Sequence, residues 1–273
     1  VTGSLIRNPN LEQSTPVNVT TSDTIELKQS NTAEEVLREL PGVVANIGSA
    51  VNNGNGGASF VDLRGLGTNR NLVLLDGQRL APAGLGGVVD LNNIPLALVE
   101  RVDALTGAAV TTYGADAITG VVNFVTKKNF TGMDLQFSNS LTERGDGHRI
   151  RADLTIGGNF ADGRGNAVLT MGFTDVDALF QGQRDFSRVA LGPNGLPQGS
   201  TTSIPVTFRS PIVGQLDIPT GVVGLNPANT FNFAPDNAFR TPLRRFSLYG
   251  KARYDITDNI EAYSSALFSK STV

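Results

Sequence analysis

The sequence predicts an α+β domain followed by antiparallel β-strands of the membrane-barrel kind, and two observations carry that prediction. Five segments in the second half alternate apolar and polar side chains over most of their length, whereas the first half is Gly-rich and irregular. From Leu243 to Ile256, Phe246, Leu248, Gly250, Ala252, Tyr254 and Ile256 share one face, opposite Arg245, Ser247, Tyr249, Lys251, Arg253 and Asp255. Successive strand side chains point to opposite faces, so each such segment is a two-faced strand. Strands of about 9–11 residues, apolar outward and polar inward, suit a membrane barrel with a wet lumen. Alternation alone fits a soluble β-sandwich equally well.

Taken in order, the polar opening contains Val17-Asn18-Val19-Thr20, a short strand. Thr32-Ala33-Glu34-Glu35 is a capping box opening a helix with Val36, Leu37 and Leu40 on its apolar face, stopped by Pro41-Gly42. Asn46 to Gly57 is a Gly/Asn/Ser loop. Phe60 to Arg64 and Leu72 to Asp76 read as strands, and Leu72-Val73-Leu74-Leu75, with no polar side, is buried on both faces. Asp76-Gly77 is a tight turn before a second soft loop, Pro82 to Gly87. Ile94 to Leu98 allows one helical turn, with Pro95 where its missing amide does no harm. Val99 to Leu105 and Gly120 to Thr126 complete this half as strands. The alternating segments then begin at Met133, Arg149, Ala167, Leu243 and Ile260, joined by Arg144 to Gly147, Ala161 to Gly165, a long loop from Ala178 to Pro242, and Thr257 to Asn259.

Composition removes several functions. Net charge is −3, with 22 basic and 25 acidic residues and no basic stripe, which argues against nucleic acid. There is no cysteine and a single histidine, His148, so disulfide scaffolds, thiolate zinc sites and His-based catalysis fall away. No cofactor is expected. Gly65-Leu66-Gly67 and Gly84-Leu85-Gly86 lack the GK[ST] or strand–helix frame of a phosphate loop. Arg144-Gly145-Asp146 spells an adhesion tripeptide but sits where a hairpin wants Gly and Asp.

Six blocks carry a resemblance. Val61-Asp62-Leu63-Arg64-Gly65-Leu66-Gly67, Asn69 to Arg79, Asn93-Ile94-Pro95, Val99-Glu100-Arg101-Val102, Tyr113-Gly114-Ala115-Asp116-Ala117 and Gly120-Val121-Val122-Asn123-Phe124 resemble the plug of TonB-dependent outer-membrane receptors. The resemblance implies a plug over residues 1–130, and over 131–273 the first five strands of a 22-stranded barrel. It implies import of a scarce nutrient, such as a metal chelate, cobalamin or an oligosaccharide, across a Gram-negative outer membrane, with TonB as the energising partner and outer-membrane lipid around the wall. Five strands cannot close a barrel, for which about eight is the minimum, so the chain is expected to be a fragment or part of an assembly. The alternative is a soluble or surface β-rich binding module; an enzyme fits least, for want of a recognisable catalytic frame.

The same resemblance, read beside the chemistry, nominates residues. Val1, Thr2 and Gly3 are the only candidates for the tail of a TonB box. Arg64 and Arg101 lie in otherwise apolar segments, where a partly buried guanidinium needs carboxylates, and are expected to latch the plug to the barrel, the alternative being solvated charges facing the wet lumen; Glu100 either serves similarly or is simply exposed. Asn52, Asn53, Asn55 and Gly56 in one loop, and Pro82, Leu85 and Gly86 in the other, are expected at the plug apex facing ligand, the alternative being that both loops are merely flexible turns. Counting strands from the plug puts Arg144 to Gly147 and the long loop outside the cell, and the turns at Ala161 to Gly165 and Thr257 to Asn259 in the periplasm.

Overall fold

The computed structural model describes residues 17–28, 30, 32–44, 57–84, 86–107, 113–197, 199–200, 207–212, 214–217, 222–223 and 231–273. Two sheets dominate. The first has five strands, β1 (Val17–Thr21), β2 (Asn71–Leu75), β3 (Gln78–Arg79), β4 (Val99–Leu105) and β5 (Gly120–Thr126), in the order β1-β4-β5-β2-β3. β2 and β5 are parallel, with Asn71 opposite Gly120, and the other pairs are antiparallel. The uniformly apolar β2 is buried from Leu72 to Leu75, as a strand covered on both faces must be. Close approach fixes Gly120: a Cβ there would meet Leu63 Cδ1 at 2.5 Å and the Leu105 carbonyl at 2.7 Å.

Helix α2 (Ala33–Arg38) begins as its capping sequence predicts, the Thr32 hydroxyl accepting from the Glu35 amide at 3.2 Å. It buries Val36 and Leu37 against Leu91, Leu98 and Phe124. Two 3₁₀ turns, Leu91–Asn93 and Leu96–Leu98, flank Pro95 where one helical turn was expected.

Two features depart from the sequence reading. Helix α1 (Ser22–Leu27) follows β1 directly and buries only Ile25, too small an apolar stripe to register as a period. Phe60 to Arg64 is not a strand; only Leu63 makes an isolated bridge, to Val43. Its backbone is held by a side chain instead. Asn71 accepts from the Leu63 amide at 2.9 Å and donates to the carbonyls of Val61 at 3.1 Å and Gly67 at 2.8 Å. Arg64 then turns away at φ 65°.

The second sheet is antiparallel, in the order β15-β14-β8-β7-β6, built from β6 (Gly132–Ser140), β7 (Arg149–Phe160), β8 (Gly165–Val176), β14 (Leu243–Thr257) and β15 (Ile260–Thr272). The five alternating segments become these five strands. On β8 the burial alternates strictly from Asn166 to Thr170, with Val168 and Thr170 covered and Ala167 and Leu169 exposed. Met133, Leu135, Phe137, Ile156, Phe173 and Phe246 are likewise exposed, giving this sheet an apolar outer face.

The described residues between 178 and 241 group as a separate compact unit in place of the plain loop expected. Within it β9 (Leu179–Phe180) pairs with β13 (Ala238–Arg240), and β10 (Thr207–Ser210), β11 (Gly214–Asp217) and β12 (Val222–Val223) form a small antiparallel sheet. Asn232 ties its turns, donating to the Arg188 carbonyl at 2.8 Å and accepting from the Ala190 amide at 3.0 Å.

Candidate functional site

The polar face of the long-stranded sheet is the seat on which the small domain rests. Val168 and Tyr249 reach from that sheet into the same buried cluster as Val36, Leu37, Leu98 and Phe124, with Phe130 packed at its edge. Around this apolar centre the long sheet presents cations at alternate strand positions, and the small domain meets them with carboxylates and carbonyls.

On β7, Arg149 pairs with Glu35, which the N-cap of α2 holds in the first turn. Two residues along, Arg151 donates to the Ser30 carbonyl at 3.2 Å while its Nε lies 2.5 Å from Asp153. β14 supplies three more. Arg245 is buried and donates to the Asn92 carbonyl at 2.8 Å and to Ser271 Oγ at 2.9 Å. Asn92 is itself fixed, because Asp90 Oδ1 accepts from the amides of Asn92 and Ser59, both at 3.0 Å. Lys251 Nζ lies 3.0 Å from Asp76 Oδ2 and also bonds Thr126 Oγ1. Arg253 donates to Asn129 Oδ1 at 2.7 Å and pairs with Asp255 at 2.9 Å.

The Asp76 site shows how local sequence builds such a contact. Asp76-Gly77 turns the chain with φ values of 51° and 78°, a conformation that Asp and Gly tolerate. The turn aims the Asp76 carboxylate at the end of β5, where it accepts from the Thr126 amide at 2.7 Å and hydroxyl at 2.6 Å. Lys251 is only 17% exposed and Asp76 29%, so this charge-assisted cluster is largely out of water.

The nominated latch residues sit elsewhere. Arg64 is exposed, and its amide donates to the Gly42 carbonyl at 2.7 Å. Arg101 pairs along its own strand, with Asp103 at 3.1 Å and Glu100 at 3.9 Å. Among the described residues neither arginine forms an ion pair with the long sheet. The cations that do so were readable only as polar-face members of alternating strands; their partners come from tertiary register. Pro82 and Gly86 are exposed in a loop closed by the Ala83 amide on the Val88 carbonyl at 2.8 Å. Val1, Thr2, Gly3, Asn52, Asn53, Asn55, Gly56 and Leu85 lie outside the described residues. No cluster of His, Cys, Asp and Glu suited to a metal occurs among the described residues.

Comparison with known proteins agrees with this architecture. The family model of the TonB-dependent Receptor Plug Domain matches residues 9–121. Among solved structures, the siderophore receptor PirA from Pseudomonas aeruginosa is 20% identical with a TM-score of 0.57, over 95% of this chain and 36% of that one. The ferric enterobactin receptor PfeA from Pseudomonas aeruginosa, solved with enterobactin, is 20% identical with a TM-score of 0.64, over 96% of this chain and 34% of that one. The ferric citrate transporter FecA is 18% identical with a TM-score of 0.60, over 95% of this chain and 32% of that one. The chain thus spans about a third of the length of the structures it matches.

Proposed function

We propose that this chain, a TonB-dependent receptor plug followed by the first strands of its barrel, is the gate and part of the wall of an outer-membrane importer. The plug is residues 1–130 and the wall 131–273; the described strands break between Thr126 and Gly132. One observation carries the reading: the small domain is clamped by cations on the polar inner face of a sheet whose outer face is apolar. A soluble binding module would leave Met133, Leu135, Phe137, Phe173 and Phe246 in water without cover. Lipid supplies that cover in a Gram-negative outer membrane.

In this reading the cargo is a scarce nutrient, and the structural relatives favour a ferric chelate over cobalamin or an oligosaccharide. TonB supplies the energy, acting on the plug through the end that begins Val1, Thr2, Gly3. The loop with Asn52, Asn53, Asn55 and Gly56 and the loop with Pro82, Leu85 and Gly86 form the ligand-facing apex. Arg64, Glu100 and Arg101 face the lumen, toward other parts of the wall. Such a gate is held by many modest polar contacts, firm together and separable one by one.

The test is uptake of radiolabelled ferric citrate and ferric enterobactin by cells lacking their own ferric-chelate receptors and carrying the full-length protein. Uptake of either that disappears when TonB is removed supports the proposal. Uptake of either that is indifferent to TonB refutes the energising step, and failure to take up both refutes the ferric-chelate assignment.

A further inference from the structure

The outer face of the long-stranded sheet ends, beside the turn between β7 and β8, in two aromatic rings joined across a glycine. Phe160 of β7, Gly165 of β8 and Tyr254 of β14 stand opposite one another in register. A Cβ on Gly165 would meet Phe160 Cε2 at 2.3 Å, so the Phe160 ring fills the space over the glycine and buries it. An aromatic laid over a bare backbone position supplies the cover that the missing side chain cannot. That reach brings Phe160 to Tyr254, stacked with 6.0 Å between ring centroids and 3° between planes. Beyond this pair the exposed Ile156 and Leu169, again opposite each other, continue the apolar face.

The turn itself supplies a cation. Ala161 and Asp162 take left-handed φ values of 51° and 56°, and the Arg164 amide closes the turn on the Ala161 carbonyl at 3.2 Å. The Arg164 carbonyl accepts from the Asp255 amide of β14 at 2.9 Å, which fixes the residue beside that strand. Its guanidinium carbon then lies over the Tyr254 ring, 5.4 Å from the centroid. The other cations at this end are engaged: Lys128 pairs with Glu261, Arg253 with Asp255 and Glu261, and Lys127 sits over the Phe130 ring. Among the described residues Arg164 forms no ion pair, and besides the ring its guanidinium reaches the Ala161 carbonyl at 3.4 Å. A guanidinium over an aromatic face leaves its in-plane N–H donors free, in a fork that matches phosphate oxygens. Asp162, exposed in the same turn, adds a carboxylate that also forms no ion pair among the described residues.

We propose that this turn binds the headgroup of one zwitterionic phospholipid of the periplasmic leaflet. The phosphodiester takes the in-plane donors of Arg164, the ammonium faces Asp162, and the acyl chains run along the apolar face toward Ile156 and Leu169. The two charges of the turn decide the occupant. A phosphatidylglycerol headgroup satisfies Arg164 and leaves Asp162 without a counter-ion, whereas an ethanolamine phosphodiester satisfies both. Tyr254 backs the cation and Phe160 backs Tyr254, so the site is ordered before lipid arrives. This rests on the reading that lipid covers the outer face of the sheet.

Native mass spectrometry of the detergent-purified full-length protein, mixed with equal amounts of phosphatidylethanolamine and phosphatidylglycerol, tests it. The parent should retain phosphatidylethanolamine in preference. Arg164→Gln should lower that retention about tenfold, and Tyr254→Leu, which keeps the cation but removes the ring behind it, by a smaller factor. Asp162→Asn introduces a side chain that accepts the same left-handed φ and should erase the preference between the two lipids. Lys270→Gln, exposed at the opposite end of the same face, should change nothing. Heat-modifiable gel mobility checks that each variant is folded. Retention indifferent to Arg164→Gln, a preference for phosphatidylglycerol, or displacement of the lipid by inorganic phosphate would overturn the proposal. A protein that stays monodisperse without detergent overturns it together with the lipid reading; one that needs detergent yet holds both lipids alike overturns it alone.

Discussion

Replacing Asp76 by Asn isolates the charge in the plug–wall contact. Asn tolerates the left-handed turn at φ 51° and still accepts from the Thr126 amide, but it leaves Lys251 without its counter-ion. A hydrogen bond to a charged group contributes about 1.5–3 kcal/mol. With Lys251 17% exposed, water recovers little of that, so the expected loss is about 2 kcal/mol of plug stability. Asp76→Ala also removes both bonds from Thr126, at about 1 kcal/mol each, and puts a Cβ-bearing residue without a side-chain acceptor into the left-handed region, about 1 kcal/mol more. Its total is about 5 kcal/mol. The assay is urea unfolding of the plug inside the intact full-length protein, followed by an environment-sensitive dye on the exposed Ile118→Cys. At a slope of about 2 kcal/mol per molar, Asp76→Asn should lower the midpoint by about 1 M. Lys251→Met should lower it similarly, and the double variant should cost clearly less than the sum. A midpoint for Asp76→Asn within about 0.2 M of the parent, or strict additivity with Lys251→Met, would show that the wall does not hold the plug through this pair.

Three further outcomes are expected. If lipid covers the apolar face of β14 as proposed, Leu248→Arg should cost roughly 2–4 kcal/mol, seen as a reduced fraction of heat-modifiable folded protein, whereas Ser247→Arg on the inner face should assemble far better. Gly120→Ala forces a Cβ to within 2.7 Å of the Leu105 carbonyl, so the same urea assay should show a loss of about 1–3 kcal/mol; unchanged stability would mean that β4 and β5 are less tightly fixed than described. A protease site inserted between Gly192 and Gly195 should be cut on intact cells, while one at Asp162-Gly163 stays protected until the outer membrane is opened. The opposite pattern would reverse the strand count.

The wall was legible because its rule is local. Alternation along Leu243 to Ile256 specifies a strand and its two faces without any knowledge of neighbours, and β14 (Leu243–Thr257) follows it almost residue for residue. In the plug, the capping sequence at Thr32 and the all-apolar β2 were equally self-contained. What escaped depends on distant partners. Phe60 to Arg64 has strand composition, yet Asn71 claims its backbone and Asp62 Oδ1 accepts from the Gly67 amide at 3.1 Å, so a loop results. The cations that meet the plug in these five strands, Arg149, Arg245 and Lys251, belong to the wall, whereas Arg64 and Arg101 are plug cations without an ion pair to these strands among the described residues. Nothing in a linear sequence pairs Lys251 with Asp76; that meeting exists only once both sheets are in register.

The two sheets also differ in how far apart in the chain their partners lie, and this sets an order of events in time. Wall strands mostly pair with their sequence neighbours, β6 with β7, β7 with β8 and β14 with β15, across short turns. In the plug, the β2–β3 hairpin is local, but Val17 must find Leu105 and Asn71 must find Gly120, so long stretches are closed before those pairs form. Such non-local pairing is slow, while hairpins close quickly. The wall hairpins are therefore expected to close first, with their inward cations already spaced, before the plug sheet is complete. On that order Glu35, Asp76 and the Asn92 carbonyl would meet a surface that already fixes where each must go. The barrel wall is in this sense the mould in which its own stopper is cast.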